Sequence, residues 1–124
     1  MAKKILVVDD EPKVVQVVIS RLKANHFETV AAYDAMQAVH LAHAEQPDLI
    51  ILDIRMPAGG GKSAYKNLKM SAKTATIPVI FLTADASPET KQEVLEMGAD
   101  GFVTKPFDSE DLLRAIKGIL GEPL

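Results

Sequence analysis

Four short apolar runs constrain this chain more than any other feature, because each ends in a residue with a carboxylate, hydroxyl or amine. Ile5-Leu6-Val7-Val8 runs into Asp9-Asp10, Leu49-Ile50-Ile51-Leu52 into Asp53, Val79-Ile80-Phe81-Leu82 into Thr83, and Phe102-Val103-Thr104 into Lys105. A strand that is apolar at every position is one covered on both faces, as in a parallel sheet flanked by helices. In such a sheet the ligand crevice lies beyond the carboxyl ends of the strands, where residues far apart in sequence converge. Three carboxylates, one hydroxyl and one ammonium would then share one cleft.

The segments between the runs carry helical spacing. Pro12 suits a first helical turn, and Val14, Val15, Val18 and Leu22 recur on one face of a helix that ends near Asn25. A β-prone stretch around residues 28–32 follows, after which Asp34 is placed to cap an alanine-rich helix with Ala35, Ala38, Val39 and Ala42 inward, closed by Pro47. Beyond Pro57 and Gly59-Gly60-Gly61, Ala64, Tyr65 and Leu68 give a weaker third helical face. Ser87 caps a polar fourth helix from Pro88 to Met97, with Val94, Leu95 and Met97 as its few inward residues and Gly98 at its left-handed end. Asp108 or Ser109 starts a strongly periodic last helix carrying Leu112, Leu113, Ile116, Ile119 and Leu120. Five β-α units in succession predict an α/β fold: a parallel sheet with strands at about 4–8, 28–32, 49–53, 79–83 and 101–104.

At 124 residues with 48% apolar content, the chain is expected to form a single domain over residues 1–124. There is no cysteine, so neither a disulfide framework nor a thiolate metal site is available. Only four apolar residues follow Lys3-Lys4, far short of a secretory core or a membrane span, and the expectation is a cytoplasmic protein without membrane contact. A net charge of -3 with mixed signs gives no broad basic field, which argues against direct nucleic-acid binding.

Asp9, Asp10 and Asp53 gathered in one cleft would repel one another, and desolvation would raise their pKa values unless something positive joined them. All-oxygen ligands with no His or Cys nearby favour a hard dication, Mg²⁺ first and Mn²⁺ as the alternative. Each aspartate alone reads equally well as a helix cap or a strand end. His40 and His43 stand three apart with no third ligand in view, so they read as ordinary surface or half-buried imidazoles, and His26 as a turn residue. No organic cofactor site is expected.

Together, Val7-Val8-Asp9-Asp10-Glu11-Pro12, Leu52-Asp53-Ile54-Arg55-Met56-Pro57, Phe81-Leu82-Thr83-Ala84 and Lys105-Pro106-Phe107 resemble, over the whole length, the receiver domain of two-component response regulators, the CheY-like superfamily. The resemblance implies a flavodoxin-like doubly wound (βα)5 fold of strand order 2-1-3-4-5. It implies that Asp53 is the phosphoacceptor, attacking the phosphohistidine of a sensor histidine kinase or phosphotransfer protein. Asp9, Asp10, Asp53 and the backbone carbonyl of Arg55 would ligate Mg²⁺, with Asp9 bound directly or through water. Lys105 would pair with Asp53 at rest and with a phosphoryl oxygen afterwards, and its bond to Pro106 is often cis in the family. Thr83 and Phe102 would form the switch that reshapes the surface of the fourth helix, fifth strand and fifth helix for a downstream protein target or an effector domain outside this sequence. A monomer or a phosphorylation-dependent dimer is expected, and a signal carrier rather than a multiple-turnover enzyme.

Two features depart from the family pattern. Arg55 and Asp85, each two residues beyond a site residue, could form a charge-assisted bridge that shields the acyl phosphate from water and tunes its lifetime. Two independently solvated charges are the plainer reading. Gly59-Gly60-Gly61 is looser than the usual loop and leaves the presentation of the Arg55 carbonyl in question, although the last glycine fits.

Three other functions compete. A haloacid-dehalogenase phosphatase needs a second aspartate two residues after the first, where this chain has Arg55, and a cap domain. A flavodoxin-like FMN carrier needs a hydroxyl- and glycine-rich phosphate loop after strand one, where Asp9-Asp10-Glu11 would repel phosphate. A non-phosphorylated pseudo-receiver, acting only as an interaction module, has the same fold but no need of the complete set of titratable groups seen here.

Overall fold

The computed structural model describes residues 2–57, 60–85 and 87–122. Strands and helices alternate strictly: β1 (Lys4–Val8), α1 (Pro12–Ala24), β2 (Glu28–Ala32), α2 (Ala35–Glu45), β3 (Leu49–Asp53), α3 (Gly60–Met70), β4 (Val79–Thr83), α4 (Pro88–Met97), β5 (Gly101–Thr104) and α5 (Ser109–Leu120). All four strand pairings are parallel and the order is β2-β1-β3-β4-β5, the doubly wound arrangement expected from the alternation. The chain goes from β1 outward to β2, then crosses back past β1 to β3. With one handedness of crossover, that reversal puts α2, α3 and α4 on the face opposite α1 and opens a crevice between β1 and β3.

The two-residue repeat of each strand divides the core into two layers. Leu6, Val8, Ile50, Leu52, Val79 and Phe81 point to one face and pack with Ala38 and Ala42 of α2, Ala64, Tyr65 and Leu68 of α3 and Val94 of α4. Ile5, Val7, Leu49, Ile51, Ile80 and Leu82 point to the other and meet Val15, Val18 and Leu22 of α1 and Leu112 and Ile116 of α5. Each of these large side chains contributes about 1.5–3 kcal/mol by leaving water, which is what holds the strand ends in register.

Local chemistry sets the helix ends. The Asp34 carboxylate accepts from the Gln37 amide at 2.7 Å, and Ser87 Oγ accepts from the Thr90 amide at 3.2 Å. α4 ends at Gly98 with φ of 87°, a left-handed conformation that suits glycine. Of the two candidates for the cap of α5, it is Asp108 that accepts from the Glu110 amide.

Two expectations are corrected. Leu95 faces outward, 69% exposed, while Thr90 takes an inward place on α4 beside Val94. The glycine-rich segment is not a loose loop: Gly60 and Gly61 are buried and form the first turn of α3, while Gly59 lies outside the described residues. A Cβ on Gly61 would overlap the backbone of Asp53 and Ile54, so glycine is required there by close approach.

Candidate functional site

Strand register assembles the site. Val8 of β1 pairs with Leu52 of β3, so Asp9 and Asp53 follow side by side. Asp53 pairs with Leu82 of β4, and Thr83 pairs with Thr104 of β5, which brings Lys105 to the same end of the sheet. The amide of Lys105 donates to the carbonyl of Thr83 at 2.7 Å, fixing the start of the last loop. The Lys105-Pro106 peptide bond is cis.

Asp9 and Asp53 are buried and Asp10 is exposed, yet one carboxylate oxygen of each lies within 4.8 Å of the others. Asp9 Oδ1 accepts from the Glu11 amide at 3.0 Å, and Asp53 Oδ1 accepts from the Arg55 amide at 2.9 Å. The Lys105 ammonium lies 2.7 Å from Asp9 Oδ2 and 3.4 Å from Asp53 Oδ2, so its nearest partner is Asp9 rather than Asp53. Asp9 Oδ2 is fully buried, and among the described residues that ammonium is its one polar partner. Glu11, at 3.8 Å, reaches the same ammonium from the rim.

Burial pushes the Asp53 carboxyl above the usual carboxylate range. The Arg55 amide opposes the shift, the Asp9 charge adds to it, and Lys105 opposes it again. Burial alone would depress the Lys105 ammonium, but Asp9 and Asp53 together outweigh it and the pKa is raised. Three carboxylates facing one ammonium leave an excess of negative charge. A hard dication matches that excess and the all-oxygen donor set.

Thr83 is fully buried, and its Oγ1 accepts from the Asp85 amide at 3.1 Å. Phe102 is half-buried, next to Phe81 in strand register and packed on the layer that contains α2, α3 and α4. The Arg55 guanidinium and the Asp85 carboxylate do meet in an ion pair. Thr90, which the sequence did not single out, completes this cluster: its hydroxyl donates to Asp85 Oδ2 at 2.6 Å and accepts from Arg55 Nη2 at 3.2 Å. Thr90 and Ser87 hold the Asp85 carboxyl well below its usual range, with Arg55 adding to the effect. Asp85 precedes Ser87 by two residues and Thr90 by five, and this spacing of hydroxyls around a helix start was the only signal available. His26 and His40 are exposed and His43 half-buried, away from this cluster.

The model of the response regulator receiver domain family matches residues 5–117. The chain is a response regulator receiver domain. It is 41% identical over 120 residues to the phosphate regulon transcriptional regulatory protein PhoB of Escherichia coli, an alignment that covers 97% of this chain and 52% of PhoB. The chain thus spans about half the length of the curated relatives it matches. Chemotaxis response regulator CheY4 of Vibrio cholerae superposes with a TM-score of 0.88 at 34% identity, covering 96% of this receiver domain and 99% of CheY4. The receiver domain of sensor histidine kinase PA1611 from Pseudomonas aeruginosa, solved with a magnesium ion in its active-site cleft, gives a TM-score of 0.89 at 28% identity over 98% of this chain and 100% of that one. A receiver domain is a signalling domain of two-component systems, and no helix among the described residues of this one is long and apolar enough to cross a membrane.

Proposed function

We propose that this receiver domain accepts a phosphoryl group on Asp53 from the phosphohistidine of a sensor histidine kinase or phosphotransfer protein. The observation that carries the reading is the meeting of Asp9, Asp10, Asp53 and Lys105 at the ends of three strands. Asp53 Oδ1 is committed to the Arg55 amide, whereas Oδ2 faces the ammonium and supplies the attacking lone pair. The O–P bond forms as the P–N bond of the phosphohistidine breaks, and the bonding pair returns to the imidazole.

Asp9, Asp10, Asp53 and the Arg55 carbonyl would hold Mg²⁺, which when bound supplies charge neutralisation at the cleft and polarises the transferring phosphoryl oxygens. Lys105 exchanges its carboxylate partners for a phosphoryl oxygen, and the Thr83 hydroxyl turns to donate to another. Phe102 follows into the space that Thr83 leaves, which alters the surface of α4, β5 and α5 offered to a downstream target or effector domain. Arg55 and Asp85 flank the mouth of the cleft and limit the access of water to the acyl phosphate.

The receiver unit spans residues 1–124, works in the cytoplasm where histidine kinases present their phosphohistidines, and makes no direct contact with nucleic acid. The complete set of titratable groups favours this reading over a pseudo-receiver.

Incubation with acetyl phosphate and Mg²⁺, followed by intact-mass measurement, tests it. A single phosphoryl adduct that disappears in Asp53→Ala supports the assignment; no adduct on the unaltered chain, or an adduct that persists in Asp53→Ala, overturns it. Arg55→Ala and Asp85→Ala should each shorten the lifetime of the adduct, and unchanged lifetimes in both would remove the shielding role.

A further inference from the structure

α4 is poorly anchored by apolar burial. Only Thr90 and Val94 are buried on it, and Leu95 faces solvent. Its position relies on polar ties to the β3–α3 half of the domain. Lys62 of α3 pairs with Glu93 at 2.8 Å, and the Tyr65 hydroxyl donates to the carbonyl of Met97 at 2.9 Å.

The tie at the first turn differs from these two because it leads to the acceptor. Thr90 Oγ1 is 2.6 Å from Asp85 Oδ2, 3.2 Å from Arg55 Nη2 and 3.1 Å from Ser87 Oγ. From there two lines run to the cleft. The Arg55 amide binds Asp53 Oδ1 at 2.9 Å, and the Asp85 amide binds Thr83 Oγ1 at 3.1 Å. The three hydroxyl contacts of Thr90 leave it no further capacity, and its side chain is buried, 4% exposed.

We propose that Thr90 is the keystone of a latch that fastens the first turn of α4 to the acceptor loop in the resting domain, and that phosphoryl capture opens the latch by drawing Arg55 and Thr83 away from Asp85. The opening step rests on the assignment of Asp53 as acceptor; the resting latch does not. A dianionic phosphoryl group next to Arg55 competes with Asp85 for the guanidinium, and a Thr83 hydroxyl reoriented toward that group gives up its bond from the Asp85 amide. Thr90 is thus a positioning residue, remote from the reacting atoms.

Amide hydrogen exchange, followed by NMR on the full chain, reads the latch at the amides of Lys91 to Leu95, the first in α4 with intrahelical acceptors. Thr90→Val removes the hydroxyl at nearly constant shape and should speed exchange there about tenfold, whereas Thr90→Ser should restore protection. Arg55→Ala removes a side chain that is 56% exposed, leaves the core untouched and should raise exchange at the same amides, which guards against a folding defect in the valine variant. Beryllofluoride with Mg²⁺ should accelerate exchange in the unaltered chain and add little in Thr90→Val.

Equal exchange in Thr90→Val, Arg55→Ala and the unaltered chain would overturn the latch, as would a serine variant as fast as the valine one. Tight beryllofluoride binding without any change in α4 exchange would overturn the opening step. Absence of beryllofluoride binding would overturn the acceptor assignment and the opening step with it, while the variants would still decide the resting latch.

Discussion

Gly61→Ala tests the coupling between helix packing and the acceptor most directly. The added Cβ would lie 2.6 Å from the Ile54 carbonyl oxygen and closer still to the Ile54 Cα and the Asp53 carbonyl, where ordinary contact begins at 3.4 Å. Backbone must therefore move by roughly 1 Å, and no flexible side chain can absorb the shift. Overpacking of this kind costs about 1–3 kcal/mol, which for a domain of this size lowers Tm by roughly 4–12 °C. The displaced peptides are those that carry Asp53 and the amide donor to its Oδ1, so catalytic geometry suffers too. A misplacement near 1 Å is worth about a hundredfold in rate.

The control is Gly118→Ala, a helical glycine whose added methyl meets nothing within 4 Å among the described residues. It should gain about 0.5–1 kcal/mol from helix propensity and leave phosphorylation unchanged. Thermal unfolding by circular dichroism, with acetyl phosphate labelling read by intact mass, gives both quantities. A Gly61→Ala protein with unaltered Tm and labelling rate would refute the close-approach reasoning.

Lys105→Met should bind Mg²⁺ about tenfold more tightly by titration calorimetry, because the ammonium 2.7 Å from Asp9 no longer competes for the carboxylates, while its labelling by acetyl phosphate falls sharply. Tyr65→Phe deletes the bond to the Met97 carbonyl and should cost about 1 kcal/mol in urea unfolding. Burial, with the nearby Asp100 charge, raises the Tyr65 pKa above its ordinary value of 10.0. Its contribution is therefore fully present below pH 10 and is lost as pH rises through the raised value, so the unaltered chain should lose stability in that alkaline window and Tyr65→Phe should lose less.

Most of the architecture was legible because apolar runs and helical spacing report burial directly. Every position from Leu49 to Leu52 is buried, as a run without alternation predicts, and Asp34, Ser87 and Gly98 end their helices by chemistry that a few neighbouring residues specify. The glycine triplet misled because glycine signals either freedom or lack of space, and only the backbone of Ile54 pressed against Gly61 distinguishes them. Leu95 reads as inward from its residue type, but helical phase puts Thr90 and Val94 there instead.

Short-range pattern was enough to fix which groups end the strands, and therefore the alternating fold and the acidic composition of the cleft, because strand ends and helix caps depend on a few neighbouring residues. How those groups pair depends on long-range packing. Lys105 lies closer to Asp9 than to Asp53, and the Thr90 hydroxyl joins Arg55 to Asp85, through contacts between residues tens of positions apart. Differences of less than an ångström choose among such partners, and they follow from how five strands and their helices pack, which no local spacing encodes.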